Sequence, residues 1–272
     1  AISRRFPIVS ARLLRARPQP CVILNYCVMS LIAGVVWNDD DLLGREAFEN
    51  ELVRTLSRHP DDIVLQYRVG NAFLLKVDVG AYDERADYQA EDGSVTLIAG
   101  NPLLPAGHGV AGRSEATKSL ACAIKARSQE ALRLARGVFS GVQFDVASRT
   151  LSLFGDRLGV RPMYYAVTPR YTVFSTALRV LEKLDIPGRA IDLEGVTEII
   201  SLGIPLGTRT AYAHIRAIDA AEIIRIDGTS VSHEHYWSWN EVEEASHNDL
   251  PDLQDAVYDA FTTAVRLRIG SD

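Results

Sequence analysis

One residue of this chain that could act as a nucleophile is Ser30, which follows Met29. If the chain were cleaved after Met29, Ser30 would carry a free α-amine beside its own hydroxyl. Such an amine can take the hydroxyl proton, directly or through a water molecule, and so activate the oxygen for attack on an amide. The simpler alternative is that Met-Ser is an ordinary start of translation and that the hydroxyl has no chemical role.

A second group of polar side chains lies in the segment LFGDRLGVRPMYY, residues 153–165. Asp156 and Arg157 end one strand-like run, and Arg161 precedes the proline that begins the next. We expect Asp156 and Arg157 to pair and to fix the turn between the two strands. Taken alone, the segment predicts a polar hairpin and no reaction.

The helices that help to position these residues are predicted from the spacing of apolar side chains. Phe48, Leu52 and Leu56 recur at intervals of four and indicate a helix over residues 44–59. Further helices are predicted over residues 113–137 (with Ser114 as N-cap and Gly137 as stop), 176–184, 192–203 (with an Asp cap) and 250–272.

The predicted strands are short and are separated by short turns. They cover residues 30–37, 62–70, 71–80, 93–101, 138–145, 150–156, 162–167 and 171–176, followed by a hairpin over 221–237 that turns at Asp227-Gly228. Turns of this length favour antiparallel hairpins over parallel crossovers. The sequence therefore predicts an α+β fold.

The composition narrows the classes of partner. The chain has 272 residues, of which 47% are hydrophobic and 24% charged, as in an ordinary globular protein. Its formal net charge of −6 argues against binding to nucleic acid or to acidic membranes, because phosphate-rich surfaces repel an acidic protein. No apolar run approaches the roughly 20 residues that span a bilayer. The three cysteines lack the spacing of a disulfide framework or a metal site, which favours a reducing, cytoplasmic setting.

Residues 1–28 differ from the rest of the chain. They contain five arginines and no acidic residue, so that the remaining 244 residues carry a net charge of −11. An arginine-rich, acid-free segment is typical of a mitochondrial targeting peptide. The alternative is that these residues are non-coding upstream sequence, translated because the wrong start was chosen. We therefore expect the folded domain to begin at Met29.

Several segments, in the same order, resemble the asparagine synthetase family. MSLIAG, residues 29–34, is similar to the opening Met-Cys-Gly-Ile-Ala-Gly of class II glutamine amidotransferase domains. GDRLGVRPMYY (155–165) and VFSTALRVLEKL (173–184) are similar to the signatures Arg-Asp-x-x-Gly-x-x-Pro-Leu-Tyr and Phe-x-Ser-Glu-x-Lys-x-Leu. GVFSGVQFD (137–145) resembles the strand just before them. The resemblance extends over about residues 29–272.

The resemblance implies a four-layer αββα domain of the N-terminal nucleophile (Ntn) type over residues 29–240, which in the family hydrolyses glutamine. Residues 241–272 would be a linker and the truncated start of an ATP-pyrophosphatase-type synthetase domain. The Ser-Gly-Gly-x-Asp-Ser loop that binds pyrophosphate in that domain is not in this sequence. ATP and Mg²⁺ are therefore expected in a missing C-terminal synthetase domain, and no cofactor or metal is expected in these residues.

The sequence departs from the family where glutamine would be hydrolysed. Ser30 stands where the family has cysteine, and a hydroxyl is a far weaker nucleophile than a thiolate at neutral pH. AGNPLLPAG (99–107) replaces the loop that supplies an oxyanion donor, with Gly100 and Asn101 as possible substitutes. Glu115 could take the place of the family's Asp that binds the substrate amine. The Arg-Gly-Pro-Asp segment, whose Arg holds the substrate carboxylate, has no counterpart.

These departures leave several functions open. The preferred one is the inactive first domain of an amide-forming ligase, as in lasso peptide macrolactam cyclases and β-lactam synthetases, where an internal amine replaces ammonia. The alternatives are a divergent glutamine-hydrolysing asparagine synthetase and a Ser-type amidohydrolase that uses Ser30. A binding role toward a basic precursor peptide is compatible with the first. In the family, the region of Asp156, Arg157 and Arg161 faces the synthetase domain.

Overall fold

The computed structural model describes residues 30–39, 43–59, 62–78, 84–106, 109–187, 190–242 and 250–269. The expectation for residues 1–28 lies outside the described residues. The helices are α1 (Arg45–Leu56), α2 (Arg113–Lys125), α3 (Glu130–Leu134), α4 (Leu178–Lys183), α5 (Leu193–Leu202) and α6 (Leu250–Ile269), with a 3₁₀ turn at Trp239–Glu241. None of the described helices is both long and apolar enough to cross a membrane.

Most strands belong to two six-stranded sheets. The first sheet contains β1 (Leu31–Trp37), β2 (Ile63–Val69), β3 (Ala72–Asp78), β10 (Tyr164–Val167), β11 (Tyr171–Ser175) and β12 (Arg216–Ala217). The second contains β4 (Asp87–Gln89), β5 (Val95–Leu103), β8 (Arg136–Asp145), β9 (Thr150–Gly155), β13 (Glu222–Asp227) and β14 (Ser230–His235). A separate short hairpin joins β6 (Pro105–Ala106) to β7 (Gly109–Val110).

All the pairings are antiparallel, as the short turns predict. The strand order is β12-β10-β11-β1-β3-β2 in the first sheet and β14-β13-β9-β8-β5-β4 in the second. β1 lies centrally and pairs with β3 on one side and β11 on the other. The segment that carries Asp156 connects β9 of the second sheet to β10 of the first, so it crosses between the two sheets.

Three apolar clusters show that the sheets are stacked between helices. One cluster combines residues of both sheets, such as Ile32 and Leu97, and so fills the space between them. A second joins the outer face of the first sheet to α1 and α4, through Leu52 and Leu181. A third joins the outer face of the second sheet to α2 and α3, through Leu120 and Leu132. The α+β expectation is confirmed, with layers in the order helix, sheet, sheet, helix.

The long helix predicted over residues 113–137 is wrong in its second half. Arg127 adopts a left-handed φ of 55°, which ends α2, and only the five residues of α3 resume a helix. Gly112, not Ser114, is the N-cap of α2. Gly137 lies in β8 rather than at a helix stop, and a Cβ atom there would come within 2.2 Å of a backbone oxygen of β5. Close approach of two strands overrides the local helical pattern.

Candidate functional site

Ser30 immediately precedes the central strand β1 and is almost completely buried, with 4% of its surface exposed. Its hydroxyl is 3.5 Å from Oδ1 of Asp78, which is at the end of the neighbouring strand β3. Its backbone oxygen accepts a 2.8 Å hydrogen bond from Nη1 of Arg161. The residue is therefore held by β3 and by the segment that crosses from β9 to β10, to which Arg161 belongs.

Two charged residues of β3 face the space between the sheets. Side chains alternate along a strand, so Lys76 and Asp78 share the face of Leu74, which belongs to the inter-sheet cluster. Lys76 is 0% exposed, and its Nζ lies 3.1 Å from Oδ2 of Asp78. The same carboxylate oxygen is 3.9 Å from Nη1 of Arg113, the first residue of α2. Asp78 thus lies among the Ser30 hydroxyl, an ammonium and a guanidinium.

The Lys76 ammonium is held in an unfavourable environment. Burial lowers the pKa of Lys76 below its ordinary value, the charge of Asp78 raises it, and the nearby Arg113 lowers it again. Burial is the largest of these effects, because a charged amine loses its hydration between the sheets. The amine consequently loses its proton more readily than a lysine in solvent does.

The second sheet supplies a backbone contact through Gly100. Arg113 donates from Nε to the backbone oxygen of Gly100 at 3.0 Å and from Nη1 to the backbone oxygen of Glu84 at 2.8 Å. Gly100 has a φ of 97°, and a Cβ atom there would meet the Val138 backbone oxygen at 2.1 Å and Nε of Arg161 at 3.1 Å. Only glycine fits this close approach, which brings β5 beside the arginine that holds Ser30.

Asp156 fixes the conformation of the crossing segment through hydrogen bonds to its backbone. It forms no ion pair with Arg157, so the predicted Asp156–Arg157 pair is wrong. The Asp156 side chain is 1% exposed and accepts hydrogen bonds of 3.0 to 3.3 Å from four backbone N–H groups. Those groups belong to Phe139, Leu158, Val160 and Arg161. The carboxylate therefore fixes the loop that delivers Arg161 to Ser30.

Arg157 turns away to the other side of the second sheet. Its guanidinium hydrogen-bonds the backbone oxygen of Arg133 and lies 5.0 Å from the ring centre of Trp237. Both partners lie far along the chain from Asp156, so the neighbouring residues of this Asp-Arg dipeptide serve different parts of the fold. The Asp156 carboxylate prefers backbone donors because the tight loop presents several at once.

The structure brings three of the residues predicted from the sequence together, namely Ser30, Gly100 and Arg161. Asn101 follows Gly100 in β5, where its backbone pairs with β8. Glu115 is exposed on α2 and faces a surface cleft beside Ala111 and Ser119. Glu115 thus points away from the buried cluster around Asp78.

Sequence reasoning missed Lys76, Asp78 and Arg113. The alternation of a strand places Lys76 and Asp78 on the same face, so their proximity could be predicted. Their burial could not, because charged side chains at alternate positions ordinarily face solvent. Arg113 gave no such signal, because its approach to Asp78 depends on how α2 packs. Among the described residues, no group of three or more His, Cys, Asp or Glu side chains is placed to hold a metal ion.

Chemically, the arrangement offers a hydroxyl next to a carboxylate but little access. In the 272-residue sequence, the nitrogen of Ser30 is an amide joined to Met29, so it cannot act as a base in that form. The hydroxyl is buried, and its neighbouring carboxylate is engaged by Lys76. The cluster can hold β1, β3 and α2 in register, and a substrate would have to displace these contacts to reach the oxygen.

Comparison with known proteins gives one family match and several distant structural ones. Residues 103–237 match the family model described as "Glutamine amidotransferase domain". This segment includes Arg113, Asp156 and Arg161 but begins after Ser30, Lys76 and Asp78. No curated protein matches the chain.

Two solved structures illustrate the distant similarity. One is the glutamine phosphoribosylpyrophosphate amidotransferase from B. subtilis in complex with ADP and GMP, with 9% identity, a TM-score of 0.45, and coverage of 76% of this chain and 49% of that one. The other is described as the allosteric regulatory enzyme of purine biosynthesis, with 11% identity, a TM-score of 0.38, and coverage of 77% and 43%. The chain thus spans about half the length of these proteins or less. The family match shows that residues 103–237 are similar to a glutamine amidotransferase domain.

Proposed function

We propose that this chain is the N-terminal part of an asparagine synthetase-like, ATP-dependent ligase that forms amide bonds, and that its amidotransferase-like domain does not hydrolyse glutamine. The observation that carries the second statement is the state of Ser30. Its hydroxyl is buried against Asp78, and its carbonyl is bound by Arg161. A glutaminase of this Ntn type needs an exposed thiolate with a free amine beside it.

The surrounding charges support an inactive site. Lys76 lies between the sheets at the Asp78 carboxylate, so a glutamine side chain approaching Ser30 would meet a buried ion pair. A carboxylate that is already bound to an ammonium is a weaker proton acceptor for the serine hydroxyl. Losing a single oxyanion donor typically costs about 10²–10³ in rate, and the serine in place of cysteine adds to such a loss.

The last described helix supports the ligase part of the proposal. α6 is amphipathic, and the apolar residues Leu253, Val257 and Phe261 on it are exposed. Exposed apolar side chains at this spacing call for a partner surface. In the proposed protein, that surface belongs to a further synthetase domain, which would bind ATP and Mg²⁺ and adenylate a carboxylic acid.

A macrolactam-type cyclase, such as those of lasso peptides, fits this arrangement best. In such a ligase an amine of the same substrate attacks the acyl-adenylate, so no ammonia is needed and an inactive glutaminase site carries no penalty. A basic precursor peptide is the proposed substrate partner, since the domain from Met29 onward has a net charge of −11. A cytoplasmic location follows from this proposal.

The test is an assay of ATP-dependent pyrophosphate release by the full-length protein that contains this chain. We expect release with a peptide substrate, without glutamine, and at an unchanged rate in Ser30→Ala. Release that depends on glutamine and falls in Ser30→Ala would instead show a divergent glutamine-hydrolysing synthetase. Hydrolysis of glutamine without ATP, lost in the same variant, would show a Ser-type amidohydrolase.

A further inference from the structure

A cleft of about 240 Å³ opens between the two sheets at the end of β1 that lies away from Ser30. Val36, Leu151 and Ile226 contribute its apolar lining. These residues belong to the inter-sheet cluster, so the cleft is the open end of the same layer. Val36 is six residues from Ser30 along the strand, or roughly 20 Å at about 3.3 Å per residue. The cleft is therefore distinct from the site around Ser30.

Two polar atoms of the lining residues have no hydrogen-bond partner within the described part of the chain. They are Oγ1 of Thr172, a residue that is 1% exposed, and Oδ1 of Asn71 in the turn between β2 and β3. A buried hydroxyl or amide oxygen without a partner lowers the stability of the fold. Both atoms belong to side chains at the cleft, so a polar molecule bound there could supply the missing partners.

Two opposite charges lie at the same cleft and do not pair with each other. Arg149 lies at the turn between β8 and β9, and Asp227 ends β13. Throughout the residues that the structure describes, neither side chain forms an ion pair or a hydrogen bond. Arg149 also has a left-handed φ of 56°, which is unusual for a residue with a side chain. The cleft therefore presents one cation and one anion, each available to a ligand.

We propose that this cleft binds a small amphoteric molecule, a free α-amino acid. Its carboxylate would pair with the Arg149 guanidinium, and its ammonium group would lie between Asp227 and Oδ1 of Asn71. The Thr172 hydroxyl would donate to the ligand carboxylate from the buried wall. A volume of about 240 Å³ holds about eight non-hydrogen atoms, taking about 30 Å³ for each water-sized group. A molecule with only one of the two charges would leave Arg149 or Asp227 without its partner.

The first experiment is saturation-transfer NMR on the whole chain with glycine, L-alanine and L-serine as probes. Each probe is compared with its N-acetyl derivative and its methyl ester, which block one charge at a time. We expect transfer to the free amino acids, and loss of the signal when either end is blocked. Two results would overturn the proposal: equal signals from blocked and free probes, or no signal from any free probe at about 1 mM, the upper end of ordinary substrate affinities.

Variants then locate the binding. Arg149→Gln and Thr172→Val should each weaken binding about tenfold or more, and Ser30→Ala should leave it unchanged. Arg127→Gln is the matched control, because Arg127 is also exposed and has a φ of 55°. Thr172→Val keeps the side-chain shape, so its melting temperature should stay the same or rise. Binding that persists in both Arg149→Gln and Thr172→Val would overturn the site, and because the site is independent of Ser30, either result leaves the ligase proposal intact.

Discussion

At the scale of single residues, the most informative feature is the group of buried charges around Ser30. Asp78 contacts the serine hydroxyl, while Lys76 lies against the same carboxylate between the sheets. Buried ion pairs cost desolvation and contribute little net stability, yet removing one partner leaves the other uncompensated. We interpret this cluster as a positioning device for β1 and β3.

Replacing Lys76 by methionine tests the protonation of the buried amine. The folded-state pKa of Lys76 is lowered, so between that value and the unfolded value near 10.4 the unfolded chain binds more protons. The wild-type protein should therefore gain unfolding free energy as the pH rises through this window. Lys76→Met lacks this gain.

Urea unfolding of both proteins at pH 7 and pH 9.5 measures the effect. Lys118→Met is the control, because Lys118 is on the exposed face of α2. A difference between wild type and Lys76→Met that does not change with pH would contradict the lowered pKa. The comparison between variants removes pH effects that are common to the whole protein.

Replacing Asp156 by asparagine tests the loop that carries Arg161. An amide oxygen accepts weaker hydrogen bonds than a carboxylate, and the amide NH₂ would face backbone donors. We expect a loss of about 2–4 kcal/mol in the free energy of unfolding. Asp255→Asn on the exposed face of α6 is the control and should change it by about 0.5 kcal/mol or less. Equal unfolding curves for the two variants would show that the loop does not depend on the carboxylate.

At the scale of elements, the sequence predicts the alternating strands and most helices well. The Asp192 cap of α5 is confirmed, since its side chain accepts from two backbone N–H groups at 3.1 Å. The hairpin at Asp227-Gly228 also forms. These features depend on local chemistry, which a sequence carries directly. The break after α2 was not predictable, because the left-handed backbone of Arg127 that ends the helix has no signal in the sequence.

In the candidate site, too, features set by local sequence could be predicted and contacts set by packing could not. Ser30, Gly100 and Arg161 could be found from short motifs, whereas the contact of Arg113 with Gly100 joins residues from a helix and a strand. The Asp156–Arg157 pair was wrong because sequence neighbours look like partners when the competing backbone donors are unseen. Contacts between side chains of separate elements depend on how those elements pack, which a local sequence pattern does not contain.

Substitution of Gly100 by alanine tests the close packing of β5. The residue has a left-handed φ, and its Cβ atom would lie 2.1 Å from a backbone oxygen. We expect a loss of more than about 3 kcal/mol in the free energy of unfolding, because a backbone atom must move. Gly203→Ala is the matched control, since Gly203 has a φ of 82° with nothing within 4 Å of the new Cβ atom, and should lose only about 1–2 kcal/mol. Equal losses in chemical denaturation would contradict the packing argument.

At the scale of the whole molecule, α6 stands apart from the four layers. The side chains described for it are exposed or half-buried, and none is fully buried. Ending the chain after Val242 should therefore lower the melting temperature by no more than about 2 °C, within the range of surface changes. A larger fall would show that α6 belongs to this domain and would remove one support for a further synthetase domain.

The central claim is that the amidotransferase-like domain does not hydrolyse glutamine. The most direct measurement is ammonia release from L-glutamine by the protein as produced, with mass spectrometry of its N-terminus to show whether Ser30 is the first residue. We predict no release above background, and no change in Ser30→Ala, whichever N-terminus is found. Release that is catalytic in the wild-type protein and lost in Ser30→Ala would contradict the claim and make Ser30 a working nucleophile.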